Sequence, residues 1–298
     1  MNAPLAEGRK EIAWNGIYFR VPESWEVTKM GFHYLMLETQ AQPAMELKWA
    51  RIKGRFSHRK HLDRLASSHK KALRRTLNER ALPPKWDTAL SRYQARAFSW
   101  EGATLGGTGV VAYCPECRTA TLIQFYRRQD SLQGEIPGDI LTSFRDHPRG
   151  PRVLWSLFDI RASLPAEFAL TRYRFETGRF ELDFALNDQT LSLKRWGPAS
   201  ILLAEISLMQ FVAALKQIPE IKHPSQVTAD NQTVEGIILP SGFWRPAVFR
   251  RLRPKGAYQM FRFWHLMEKN RILGMHWKGR TPIDPQQFKQ LCGGYESL

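Results

Sequence analysis

Two cysteines three positions apart are the residues best suited to chemistry in this sequence. Cys114 and Cys117 flank Pro115-Glu116, between the apolar stretches GVVAY and TATLIQF. A C-x-x-C pair can hold a metal ion, form a redox-active disulfide or simply stand on either side of a tight turn. A structural zinc site needs four ligands, and the sequence has neither a second C-x-x-C nor two histidines at zinc-finger spacing. The nearest histidine further along the chain is His147.

The residues after the second cysteine favour a strand. A thioredoxin-like site would instead place C-x-x-C at the start of a helix, where the helix dipole lowers the thiol pKa. We therefore interpret the segment as a β-hairpin with its turn at Pro115-Glu116, and keep metal binding by Cys114 and Cys117 and redox chemistry as alternatives. No phosphate-binding glycine loop, H-E-x-x-H or G-x-S-x-G motif occurs. We predict no catalytic residue and no cofactor.

Basic side chains are concentrated in residues 51–80. The segment holds eleven Lys or Arg and two acids, so its net charge is 11 − 2 = +9 in a chain of net charge +16. At 100° per residue its leucines fall on one stripe and its cations on the opposite face, which predicts one amphipathic helix. Ser57 is a suitable N-cap, and Pro83-Pro84 would end the helix. The cations predicted to bind a partner are Lys60, Arg64, Lys71, Arg74 and Arg75.

The chain is predicted to contain the same unit twice. IYFRVPESWEVTK (17–29) aligns without gaps on IRASLPAEFALTR (160–172), and Met45 then matches Leu191. AYCPECRTATLIQFYRR (112–128) aligns without gaps on FWHLMEKNRILGMHWKG (263–279). This alignment places Tyr126 opposite Trp277, Cys114 opposite His265 and Cys117 opposite Glu268. Neither cysteine is thus needed to build the unit.

Each half reads as short alternating strands, a helix, more strands and a short closing helix. This order predicts an α+β fold of two similar units, each an antiparallel sheet with a central helix and a short C-terminal helix. HPRGPR (147–152) is predicted to link them, which gives a first repeat at 1–149 and a second at 150–298.

The segment SILLAEISLMQFVAAL (200–215) takes the place of the central helix in the second half. It is apolar almost all round, so we predict a helix buried against the other half, or against a second copy of the chain in a homodimer. The segment is too short to cross a membrane and contains Glu205.

The opening pattern I-x-F-x-V-P-x-x-W-x-V resembles the Mog1/PsbP-like fold. It is formed by Ile17, Phe19, Val21, Pro22, Trp25 and Val27, with a weaker echo in 160–170. That fold group contains accessory and partner-binding proteins, so the resemblance implies an interaction role. It implies no catalytic residues.

Together these features predict a non-catalytic binding or scaffold protein that docks an acidic partner through the helix at 51–80. The alternatives are nucleic-acid binding by the same basic ridge and an enzyme with its site between the two repeats. Three cysteines without disulfide-framework spacing, and an N-terminus without an apolar signal core, predict a cytoplasmic protein.

Overall fold

The computed structural model describes residues 8–73, 76–102, 105–127, 136–215, 227–230, 232–240 and 257–298, with side chains except at 68–73, 76 and 227. The chain divides into two compact units. Unit 1 consists of Met1–Arg149 and Ser156–Phe158, and unit 2 of Gly150–Trp155 and Asp159–Leu298.

Unit 1 is built around one antiparallel sheet. Its described elements are β1 (Arg9–Trp14), β2 (Ile17–Pro22), β3 (Glu26–Gly31), β4 (Tyr34–Thr39), β5 (Gln42–Arg51), α1 (His58–Leu73), β6 (Thr76–Arg80), α2 (Pro84–Ala89), β7 (Gln94–Glu101), β8 (Gly106–Tyr113), β9 (Thr119–Arg127) and α3 (Ile136–Ser143). The sheet has the order β3-β4-β5-β9-β8-β7-β6, and β1 and β2 form a separate hairpin.

Helix α1 covers one face of this sheet. Leu62 of α1 is buried against Phe98, Trp100 and Val111. The opposite face carries alternate apolar side chains such as Leu47, which is fully buried. Because successive strand residues point to opposite faces, the sheet is apolar on both sides and needs cover on both.

Unit 2 contains a sheet of the same kind. Its described elements are β10 (Arg152–Leu157, divided between the units), β11 (Ile160–Pro165), β12 (Ala169–Glu176), β13 (Arg179–Leu186), β14 (Gln189–Trp196), α4 (Ala199–Leu202), α5 (Leu208–Ala214), β15 (Val227–Ala229), β16 (Thr233–Ile238), β17 (Tyr258–Leu266), β18 (Arg271–Gly279), α6 (Pro285–Gly293) and β19 (Tyr295–Ser297). The sheet has the order β12-β13-β14-β18-β17-β16-β15, and β11 pairs with β19.

The two seven-stranded sheets share their strand order along the chain, which supports the proposed duplication. Each also has a register shift between its first two strands, at Val27/Lys29 in β3 and at Leu170/Arg172 in β12. The repeat alignment matches these same positions. A bulge inserts one extra residue at a defined point, so its recurrence is a specific shared feature.

The pairing registers correct one part of that alignment. Met45 pairs with Phe125, and its match Leu191 pairs with Trp277. Phe125, not Tyr126, is therefore the counterpart of Trp277. Apolar side chains occur on both faces of β9, so alternation alone could not detect a slip of one residue.

The predicted α+β fold with central helices is wrong. Strands make up about half of the described residues and helices about a fifth, so the fold is β-rich with few small helices. Two segments that favoured helices on local pattern account for the difference. Tertiary pairing overrides local propensity in the first, and a local helix cap divides the second.

The first of these segments is the basic stretch 51–80. Helix α1 begins after Ser57, whose Oγ accepts from the backbone N of Lys60 at 3.4 Å, so the predicted cap is confirmed. The helix ends at Leu73, however, and Thr76–Arg80 forms β6 on the sheet edge, paired with β7. The long helix predicted to reach Pro83 is thus wrong.

The second segment is 200–215, which forms two short helices rather than one. Ser207 starts α5 with a capping box: its side chain accepts from Gln210 N, and the Gln210 side chain accepts from Ser207 N. Leu208, Phe211 and Val212 are buried, whereas Ile201 is 71% exposed. The helix predicted to be buried all round is therefore wrong, and a homodimer through this segment stays a prediction.

No described helix is long and apolar enough to span a membrane.

Candidate metal centre

The C-x-x-C segment is the turn between β8 and β9, as predicted. The backbone N of Cys114 donates to Thr119 O at 2.9 Å, and Arg118 has a φ of 60°. This left-handed residue closes the turn and returns the chain into β9. Cys114 is buried and Cys117 half-buried, so both thiols lie on the inner side of the turn.

A second segment approaches the turn from the end of α3. Arg145 and Tyr18 of β2 exchange two backbone hydrogen bonds, each of 2.8 Å. This isolated bridge fixes the chain beyond α3. The next two residues, Asp146 and His147, lie against the two cysteines.

Cys114, Cys117, Asp146 and His147 together form a four-residue cluster. One ligand atom from each lies within 4.8 Å of all the others. Cys117 Sγ lies 3.0 Å from Asp146 Oδ2, and His147 Nδ1 lies 2.9 Å from Asp146 Oδ1. Cys114 Sγ lies 3.8 Å from His147 Nδ1.

The donor set and its spacing suit a zinc ion. Thiolate, imidazole and carboxylate are the ligands that zinc takes, and structural sites use four of them in a tetrahedron. With bonds of about 2.0–2.3 Å, the edges of such a tetrahedron are roughly 3.3–3.8 Å long. Of the three separations given above, that of 3.8 Å falls in this range, and those of 2.9 and 3.0 Å are slightly shorter.

Outer partners orient two of the four side chains. The side chain of Asp146 is 1% exposed, and Tyr93 Oη donates to its Oδ1 at 3.1 Å. Glu116 Oε2 lies 3.3 Å from His147 Nε2, so the imidazole can hold its proton there and present Nδ1 to a metal. Carboxylate–histidine pairs of this kind are typical of zinc sites.

Burial opposes negative charge at this cluster when no cation is present. It raises the pKa of the Cys117 thiol to about 12, and it also raises the pKa of Tyr93. A divalent cation would instead lower the pKa of the Cys117 thiol, because a thiol that coordinates a metal is deprotonated.

Sequence reasoning identified half of this cluster and missed Asp146 and His147. His147 follows the cysteines without a second histidine at zinc-finger spacing, so motif spacing does not select it. An Asp-His pair directly after the last helix of a unit was the available signal. The long separation in sequence between the cysteines and His147 does not keep them apart, because the end of α3 lies beside the hairpin turn.

The corrected register also changes the counterparts of the two cysteines. Counterparts of Cys114 and Cys117 in unit 2 become Leu266 and Lys269, in place of His265 and Glu268. The cysteine pair is thus a feature of the unit 1 hairpin alone, and its dispensability in unit 2 says nothing about its role in unit 1.

The predicted partner-binding cations lie on or after α1. Lys60 and Arg64 are exposed on the helix. Lys71 is part of α1, but its side chain lies outside the described residues, as do Arg74 and Arg75 altogether. The structure therefore describes two of the five side chains.

No protein-family model matches the chain, and no curated protein matches it.

Proposed function

We propose that this protein is a non-catalytic binding protein whose first unit is stabilised by a structural zinc ion. The observation that carries the zinc site is the cluster of four ligand atoms within 4.8 Å of one another. Four protein ligands fill the tetrahedral shell of zinc. A catalytic zinc would need an open position for water, so the donor count favours a structural role.

The cysteine turn supports the chain segment that leads into the basic helix. Ile52 N donates to Arg118 O at 2.8 Å, and Arg118 Nη2 donates to Gly54 O at 3.2 Å. The ring of Phe56 stacks on Tyr113 with centroids 4.3 Å apart. A metal that fixes the turn would therefore also fix the start of α1.

The first turns of α1 are the surface proposed to dock an acidic partner. Arg59, Lys60 and Arg64 are exposed and form no ion pair within the described part of the chain. Unpaired cations on one helix attract polyanions and speed their association. Lys60→Glu with Arg64→Glu should abolish salt-sensitive binding of an acidic polypeptide, whereas Arg96→Glu on β7 should not. Equal binding by both variants would contradict this part of the proposal.

Metal analysis tests the zinc site directly. The full chain, purified without chelators, should contain one zinc ion per molecule by mass spectrometry. Cys114→Ala and Cys117→Ala should lose it, because each removes one of four ligands. Cys292→Ala is the matched control, since Cys292 is also buried but lies in unit 2. A folded chain that takes up no zinc, or a Cys117→Ala variant that keeps it, would exclude the site.

A further inference from the structure

An open groove of about 410 Å³ lies on unit 1 along α2 and the end of α3. It borders the four-residue cluster, because Arg145 directly precedes Asp146 and Arg92 Nη2 donates to Tyr93 Oη at 2.8 Å. Its lining includes four cations, Lys85, Arg92, Arg145 and Arg149, and three hydroxyl side chains. None of the described residues that line it is acidic. The groove is of a size typical for small-molecule sites.

Three of the four cations lack a counter-charge. Lys85 Nζ lies 2.6 Å from Asp139 Oδ1 and is therefore neutralised. Arg92, Arg145 and Arg149 have no carboxylate within ion-pair distance among the described residues. About three positive charges thus face one groove, which is unfavourable unless an anion enters.

A single backbone carbonyl positions two of these guanidinium groups side by side. Phe144 O accepts from Arg92 Nη2 at 2.9 Å and from Arg145 Nη1 at 2.6 Å. Arg145 Nη1 also donates to Thr142 O at 3.1 Å. These bonds use one nitrogen of each fork and leave other N–H groups to contact a ligand.

We propose that this groove binds the phosphate group of a small phosphorylated molecule. Arg92 and Arg145 would contact its oxygens, because guanidinium forks match phosphate geometry, and Arg149 and the hydroxyls would complete the site. Three charges at one place suit a phosphate monoester or diphosphate. A nucleic-acid backbone carries one charge per phosphate and needs a longer track of cations. This inference does not depend on the zinc site.

Calorimetric titration of the full chain with pyrophosphate tests the proposal. Arg145→Gln should weaken binding at least tenfold, and Arg149→Gln, an exposed residue whose loss should not disturb folding, should weaken it severalfold. Arg96→Gln, on an exposed arginine away from the groove, should bind like the wild type. The circular dichroism spectrum and the unfolding midpoint of each variant report whether it is folded.

Inorganic phosphate and a mixed-sequence oligonucleotide serve as further ligands. Binding of phosphate and pyrophosphate that is lost in the groove variants supports the proposal. Absence of saturable pyrophosphate binding, or equal binding by Arg149→Gln and Arg96→Gln, would overturn it. Tighter binding of the oligonucleotide than of pyrophosphate, lost in the same variants, would overturn it in favour of a nucleic-acid site.

Discussion

At the scale of single residues, the outer partners of the cluster give the sharpest prediction. Tyr93→Phe removes the hydroxyl that donates to Asp146. Zinc affinity should fall about 10–100-fold, as is usual when an outer hydrogen bond to a ligand is lost. Competition with a chromophoric chelator measures the affinity. Tyr34→Phe, which deletes a tyrosine hydroxyl elsewhere in unit 1, should leave it unchanged; a similar loss in both variants would mean that Tyr93 has no specific role.

His276 makes unit 2 sensitive to acid. Its pKa is lowered to about 4, mainly by burial and also by Lys194 and Lys278, and its Nε2 lies 2.9 Å from Gln259 Oε1. An exposed histidine has a pKa of 6.5, so the unfolded chain takes up the proton first as the pH falls. Stability should therefore be lost between pH 6.5 and 4, by about 3 kcal/mol.

Urea unfolding of the wild type and His276→Gln over this pH range measures the effect. The substitution itself lowers the free energy of unfolding by an amount that does not depend on pH. The informative quantity is therefore how the difference in free energy of unfolding between wild type and variant changes with pH. That difference should shrink as the pH falls from 7 to 4. A difference that stays constant with pH would show that His276 is not the group that titrates.

At the scale of elements, β8 needs a glycine at position 109, because the ring of Phe98 packs directly against its backbone. A Cβ on Gly109 would lie 2.5 Å from the Phe98 ring and 2.6 Å from Ile123 O. Because backbone would have to move, Gly109→Ala should cost about 1–3 kcal/mol of stability. Gly54→Ala is the control, since nothing lies within 4 Å of its added Cβ. Equal unfolding midpoints would show that β8 adjusts freely.

The break in the 200–215 segment rests on the Ser207 cap. Ser207→Ala removes the acceptor of the Gln210 N–H and should destabilise unit 2 by about 1 kcal/mol. Ser207→Asp keeps an acceptor and should stay close to the wild type in urea unfolding. If both substitutions have the same effect, the cap does not determine where α5 begins.

At the scale of the whole molecule, removal of zinc should act on one unit. Hydrogen exchange with and without a strong chelator should show faster exchange at the β8–β9 turn, at residues 144–147 and at the start of α1. Strands β17 and β18 of unit 2 have no such cluster among the described residues and should keep their protection. Equally faster hydrogen exchange in both units would indicate global unfolding and would contradict a local role for the metal.

Local sequence signals did determine several features of this protein. Alternation placed β2, β4 and β5, Ser57 marked the start of α1, and the Cys-Pro-Glu-Cys segment was recognised as a hairpin turn. These features depend on residues close together in the chain. Their side-chain periodicity or capping chemistry is therefore visible in the sequence.

Only the tertiary structure decided the rest. Thr76–Arg80 became a strand because β7 offers it a hydrogen-bonding edge, which no local pattern reports. The register of β9 was set by pairing, because both of its faces are apolar. Asp146 and His147 joined the cysteines because the bridge between Tyr18 and Arg145 holds the end of α3 beside the hairpin. A ligand set drawn from two distant segments is a property of their packing, and neither segment contains it alone.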